Sequence, residues 1–179
     1  FPGLISISSE NGAHRIAIQW QENGETREGV FIPRRDTSSR LNSLAGGRIF
    51  PGRHHYARFD VREENGHYHV AFKSTDGTSI SIDADKASAF ARGSIFENIE
   101  NVSQFFECGS VGYSPSGNKF EGLQLKTMNW KLQPLDVSQV QSSFFEDEAM
   151  FPKGSVQFDN ALLMTQIEHE WHALGSLKE

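Results

Sequence analysis

The sequence predicts a β-rich α+β domain, barrel or sandwich, with three helices. Three observations predict it. The chain has 14 phenylalanines among many Ser, Thr, Val and Ile, which suit pleated strands better than helices. Several stretches alternate polar and apolar residues with period two. Turn pairs such as Asn-Gly and Asp-Gly recur at short intervals, so the strands are joined by tight loops. Strand-rich chains of this length close into a barrel or fold as a sandwich.

In order, Leu4 to Ile7 and Ala13 to Gln21 read as strands around the polar turn SSENG. In the second, Ile16 and Ile18 point one way, and Ala17 and Gln19 the other. Glu22 to Gly24 is a turn. Gly29 to Ile32 is the next strand, closed by Pro33, which cannot donate to a ladder. Asp36 is an N-cap residue type, so a short helix is expected from it through Ala45, ended by Gly46 and Gly47. His54 to Arg62 and His67 to Ser74 form a hairpin around Glu63-Glu64-Asn65-Gly66. Alternation there puts Phe59 and Val61 on the core face and Tyr56, Arg58, Asp60 and Arg62 on a charged face.

Asp76-Gly77 turns into a strand from Ser79 to Asp83, with Ile80 and Ile82 inward. Ser94 to Cys108 carries Ile99, Val102, Phe105 and Phe106 at helical spacing, with Gly109 where a C-cap belongs. Leu123 to Leu132 and Asp136 to Phe145 are further strands. Asp159 is expected to cap a last helix with Leu163, Met164, Ile167, Trp171 and Leu174 on one face.

A chain of 179 residues makes one domain, residues 1 to 179, with a continuous core. No repeat, linker or low-complexity tract divides it. The single Cys108 excludes an internal disulfide, so nothing demands an oxidising compartment. No apolar run approaches the ~20 residues that span a bilayer, and no signal peptide is visible. The expected location is therefore cytoplasmic, with no membrane partner. The chain begins at Phe1 rather than Met, so an upstream piece is expected to have been removed. A net charge of -6 and a pI near 5.6 argue against nucleic acid as a partner. Homo-oligomerisation stays open.

Against that acidic background stands Gly29 to Phe59, which holds six of the ten arginines: Arg34, Arg35, Arg40, Arg48, Arg53 and Arg58. Like charges crowded into one segment repel unless acids or a bound anion neutralise them. The stretch therefore reads as one wall of a pocket for a small anionic ligand. The bland reading is that each arginine pairs with a nearby carboxylate as scaffolding. Arg34, Arg35, Arg48 and Arg53, with His14, form the candidate ligand-binding set.

His54 and His55 follow the Phe50-Pro51-Gly52 turn. On a strand they face opposite sides, so one of them is the candidate general acid or base. A hydrogen-bonded structural histidine is the commoner alternative. The pair cannot ligate one metal from a regular strand. His169 and His172 are three apart rather than the four a zincin motif needs, and His67 and His69 sit beside an exposed turn. No metal or other cofactor is expected. No Gly-x-Ser-x-Gly elbow supports a hydrolase triad. Cys108, at a helix C-terminus where the dipole disfavours a thiolate, reads as inert.

From Ser8 to Trp171 the chain resembles an uncharacterised bacterial family known only as a domain of unknown function. The stretches that carry the resemblance are SSENGAHRIAI, GVFIPRRDTSSRLNSLAGGRIFPGRHHYARF, SIFENIENVSQFF, GSVGYS, PLDVSQVQSSFFED and FPKGSVQFDNALLMTQIEHEW. That family is in turn distantly similar to acetoacetate decarboxylase. The similarity implies a closed antiparallel β-barrel with a few flanking helices and a central pocket. It also implies that Glu10 is an acidic pocket residue, a third catalytic candidate beside His54 and His55. The decarboxylase's lysine pair, one of which forms a Schiff base, falls on Gly52 and Arg53 here. Arginine stays protonated near neutral pH and cannot be the amine nucleophile, so that chemistry does not carry over. Three functions follow as expectations. The first is a binder of a small acidic or polar molecule. The second is a lyase or isomerase of a small oxo or hydroxy acid without a Schiff base. The third is a structural module whose barrel is filled by side chains.

Overall fold

The computed structural model describes residues 9–40, 43 and 51–178. The expected strand Leu4 to Ile7, the glycine pair Gly46-Gly47 and Arg48 lie outside the described residues. The elements are β1 (Asn11–Glu22), β2 (Glu25–Thr37), β3 (His54–Glu64), β4 (His67–Ser74), β5 (Ser79–Lys86), α1 (Ile99–Cys108), β6 (Val111–Ser116), β7 (Lys119–Thr127), β8 (Gln133–Ser142), β9 (Ala161–Leu163) and β10 (His169–Lys178). The β-rich character is as expected. No described helix is long and apolar enough to cross a membrane.

β2 is the axis of the fold. β1 pairs with it antiparallel from Asn11↔Thr37 to Glu22↔Glu25, over the left-handed turn Asn23-Gly24. The opposite edge of β2 is shared. Val30 and Phe31 pair in parallel with Gly112 and Tyr113 of β6, while Arg35 to Thr37 pair in parallel with His54 to Tyr56 of β3. From this fork one arm continues β6-β7-β10 and the other β3-β4-β5-β8-β9, both antiparallel. The result is one ten-stranded mixed sheet. This corrects the closed antiparallel barrel. Among the described residues no ladder joins the ends of the two arms, and the two parallel pairings at β2 make the sheet mixed.

Pro33 does not close its strand, because β2 runs through it to Thr37. The ladder explains this. Between the pairs His14↔Arg34 and Ile16↔Phe31, the single residue Arg15 faces both Ile32 and Pro33, so Pro33 lies in a bulge. It also falls in the gap between the β6 and β3 pairings. A missing N–H costs no bond there.

Asp36 is not a helix cap. It sits in β2 at 1% exposure, bonded to Arg34 two residues earlier on the same face. A helical turn begins later, where Ser43 N donates to Ser39 O at 3.0 Å. α1 is shorter than expected. It starts at Ile99, because the side chain of Asn98 accepts from Asn101 N at 2.9 Å and so caps it. Gly109 ends it as foreseen.

The final helix is absent and β9 and β10 replace it. The open edge of β7 offers a ladder that pairs Trp171 with Leu125 and Ala173 with Leu123. Asp159 instead accepts from Ser94 Oγ and Ile95 N at 2.7 and 2.8 Å, holding the segment before α1. The expected strands 123–132 and 136–145 are shifted to β7 and β8, and β6 was not foreseen. Val61 is 53% exposed rather than inward, since the β3–β4 hairpin tip extends past the covered part of the sheet. Further down that hairpin Phe59 packs on Phe72, ring centroids 5.1 Å apart. His14, Phe144, Phe145 and Phe151 continue this aromatic core.

Candidate functional site

Alternation along β2 sends Arg34 and Arg35 to opposite faces, and the two faces have opposite electrostatics. On the first, Arg34 is 8% exposed. Its Nε donates to Asp36 Oδ2 at 2.9 Å and Nη2 to Asp36 Oδ1 at 2.7 Å. Nη1 and Nη2 also donate to the carboxylate of Asp76, in the β4–β5 turn, at 2.6 and 3.0 Å. Ser74 Oγ donates a very short bond to Asp36. The Arg34 hydrogen bond holds the Asp76 carboxyl far below the usual carboxylate range. Burial disfavours the Arg34 charge, but its bonds to Asp36 and Asp76 outweigh that and raise its pKa. His55 Nδ1 lies 3.4 Å from Asp76, at the edge of this cluster.

His14 borders the same cluster. It is 5% exposed, with Nδ1 3.7 Å from Asp36, and neither ring nitrogen has a hydrogen-bond partner. Its ring lies 4.1 Å from that of Phe144. Burial lowers its pKa, and the raising effect of Asp36 does not overcome this. Arg34, Asp36, Asp76 and Ser74 thus form a clamp joining β2 to the β4–β5 turn, in which the Arg34 charge is met by two carboxylates that take four of its five N–H donors.

The other face is different. Arg15, projected by the β1–β2 bulge, and Arg35 line one cleft of about 590 Å³. His54 of β3 and His169 and Trp171 of β10 complete its polar and aromatic walls. This volume lies within the range of small-molecule sites, roughly 300–1,000 Å³. Among the described residues no carboxylate pairs with Arg15 or Arg35. Burial, and then the Arg15 charge, push Arg35 down to about 10. Burial also lowers Arg15, although part of its side chain remains open to solvent. Both stay protonated at neutral pH; Asp36 also borders the cleft, but its carboxylate is bonded to Arg34, so among the described residues no ion pair neutralises either of the two cations.

The Pro51-Gly52-Arg53 turn builds this site. Arg35 Nε donates to Pro51 O at 3.0 Å, and Arg35 N donates to Arg53 O at 3.0 Å. His54 Nδ1 is 3.1 Å from Gly52 O. Gly52 has φ +106°, and a Cβ on it would lie 2.8 Å from the Cβ of Ser114. Only glycine meets both conditions. Burial lowers the His54 pKa; the Gly52 bond opposes it, and Arg35 and His55 add smaller downward pushes.

Of the candidate residues, Arg35 and His54 come together in the cleft. Arg34, His14 and His55 lie on the clamp side. Arg53 contributes its backbone carbonyl while its side chain is exposed. Arg48 lies outside the described residues. Glu10 is bound to Ser38, its Oε2 accepting from Ser38 Oγ at 2.5 Å, and it borders a separate surface depression with Tyr56 and Arg58. The Ser38 bond lowers its pKa.

Arg15 and His169 were missed for physical reasons. Arg15 owes its place to a bulge, which a period-two reading cannot see. His169 was read on a helix. Its strand signal is the alternation of His169 and Trp171 with Glu170 and His172. His172 pairs with Glu170 at 3.2 Å on the other face. His67 and His69 are held by Asp85 and Asp83 at 3.0 and 2.7 Å in a surface ladder. Among the described residues no three His, Cys, Asp or Glu side chains are grouped to hold a metal ion. Cys108 is exposed. Comparison with protein-family models, with curated proteins and with solved structures gives no match.

Proposed function

We propose that the protein binds a small anionic molecule in the cleft between Arg15, Arg35, His54 and His169. One observation carries this reading: Arg15 and Arg35 line the same cleft, and Asp36, the acidic residue that also borders it, is bonded to Arg34 rather than to either of them. Two guanidinium groups in a partly desolvated cleft repel each other, and a bound anion reverses the sign of that interaction. Each charge-assisted hydrogen bond to it contributes about 1.5–3 kcal/mol. The arginine fork matches a carboxylate or a phosphate. The test is a thermal-shift screen of small carboxylates and phosphates on the parent, R35M and R58M. A ligand that raises the parent melting temperature at millimolar concentration, and does so in R58M but not in R35M, supports the cleft. No shift with any anion sinks it.

A second reading, a lyase or isomerase without a Schiff base, rests on His54. Burial keeps this ring on the neutral side, and it stands beside Arg35. A neutral imidazole can remove a proton next to a carboxylate while a guanidinium neutralises the resulting oxyanion. Incubation of small oxo and hydroxy acids with the protein in heavy water checks it. Loss of the α-proton NMR signal from one of them, absent in H54F, is the expected result.

A further inference from the structure

We infer that the ligand of this cleft is a hydroxy acid, an anion carrying a hydroxyl group next to its carboxylate. The inference rests on the anion-binding reading above and adds the second half of the ligand. It follows from an inventory of donors and acceptors. A guanidinium carries N–H donors and no acceptor, so Arg15 and Arg35 can satisfy the carboxylate and nothing else.

His54 offers the opposite. Its Nδ1 lies 3.1 Å from Gly52 O. A carbonyl oxygen only accepts, so Nδ1 carries the hydrogen. In the neutral ring Nε2 is then an acceptor with a free lone pair. Among the described residues the Nδ1–Gly52 contact is the one hydrogen bond this ring makes, and Nε2 has none. His169 repeats the arrangement, with Nδ1 3.0 Å from Ile167 O. In each case the carbonyl belongs to the residue two positions earlier, so the same local loop fixes both tautomers.

The cleft therefore presents two cations and two imidazole lone pairs. A plain carboxylate or a keto acid consists of acceptors alone. It satisfies the arginines and leaves Nε2 facing another lone pair, an unpaired acceptor in a partly buried site. A hydroxyl on the neighbouring carbon donates to Nε2 while the carboxylate stays with the guanidinium groups. An ammonium could donate too, but it would bring a third positive charge beside Arg15 and Arg35. Hydroxy acids should thus lead keto acids, plain acids and amino acids. Burial and the neighbouring Arg35 charge favour the neutral His54 ring that this pattern needs.

The test is calorimetric or NMR titration of the protein at pH 7.5 with lactate, pyruvate, propionate and alanine, and with malate against succinate. The expected result is a hydroxy acid bound roughly fivefold or more tightly than its plain counterpart, the size of one net hydrogen bond. That advantage should vanish in H54F, so that lactate and propionate bind the variant equally. Equal affinity for the hydroxy, keto and plain acids would overturn the inference and leave the anion site standing. So would an H54F loss that is the same for lactate and propionate. If none of these acids binds the parent, the anion reading itself is overturned. The comparison of acids on the parent needs no variant, so an H54F that fails to fold does not remove the test.

Discussion

Arg34 and Arg35 are neighbours in the chain, yet Arg34 is neutralised by two carboxylates and Arg35 faces Arg15. The cause is the pleat of β2, which sends successive side chains to opposite faces of the sheet. One arginine is therefore met by carboxylates, while among the described residues the other has no ion-pair partner. Substitutions of the two should separate stability from binding.

Asp36→Asn leaves Arg34 with Asp76 alone and removes the charge that Ser74 also bonds. Breaking a buried ion pair by removing one partner costs about 3–5 kcal/mol. Urea denaturation of D36N should show a loss of that order, with no new unfolding intermediate. A loss under about 1 kcal/mol, the range of exposed pairs, would mean the clamp is solvated.

Arg15→Met should have the reverse profile. It keeps most of the apolar stem and removes one of two repelling charges. The ligand-free variant should be as stable as the parent, or more stable by about 0.5–1 kcal/mol at low salt. Added salt screens the repulsion, so it should raise the melting temperature of the parent more than that of the variant. A variant clearly less stable than the parent would assign Arg15 a structural partner.

Gly52→Ala forces a side chain onto a backbone with φ +106° and into the Cβ of Ser114. The strain should cost roughly 1–3 kcal/mol. Because the same turn holds Arg35 and His54, anion affinity should fall as well, even at temperatures where the variant is folded. The paired readings are thermal denaturation and anion titration. Unchanged affinity in a destabilised G52A would detach the turn from the site.

His14→Phe tests the buried imidazole. Its nitrogens have no hydrogen-bond partner, and Phe72, Phe144 and Phe145 surround its ring. Removing an unsatisfied buried polar group should leave stability unchanged or raise it by about 1–3 kcal/mol. The pH effect has a definite sign. The folded pKa is depressed, chiefly by burial, with Asp36 pulling upward and Arg34 downward. The unfolded state therefore takes the proton first. Stability from the neutral ring is full above the unfolded value near 6.5 and is lost as pH falls below it toward the folded value. Denaturation curves from pH 7.5 to 5 should fall more steeply for the parent than for H14F. Parallel curves would contradict a neutral buried His14.

Much of the local structure was legible because its signals are local. Asn65-Gly66 fixed the β3–β4 hairpin, Asp76-Gly77 the next turn, and Gly109 the end of α1. Two of the misreadings share one cause. Asp36 has the chemistry of a helix cap, but a buried arginine on the same strand face takes its carboxylate. The apolar spacing from Leu163 to Leu174 fits a helix, but β8 takes Leu163 into β9 and the open edge of β7 draws Trp171 and Leu174 into β10. In both cases a distant partner outweighs local propensity.

By itself the sequence determined a strand-rich chain, its tight turns, and a cationic block in an acidic protein that includes Arg35 and His54. The sequence ended the strand from Gly29 at Pro33 and so did not separate the faces of Arg34 and Arg35. It could not say which face holds the acids, because Asp76 lies 42 positions beyond Arg34. Nor could it bring Arg15 and His169 to Arg35, since one depends on a bulge and the other on the β7–β10 pairing. Only the tertiary structure decided which positive charges are neutralised. Charge compensation depends on distance in space, and sequence separation does not encode it.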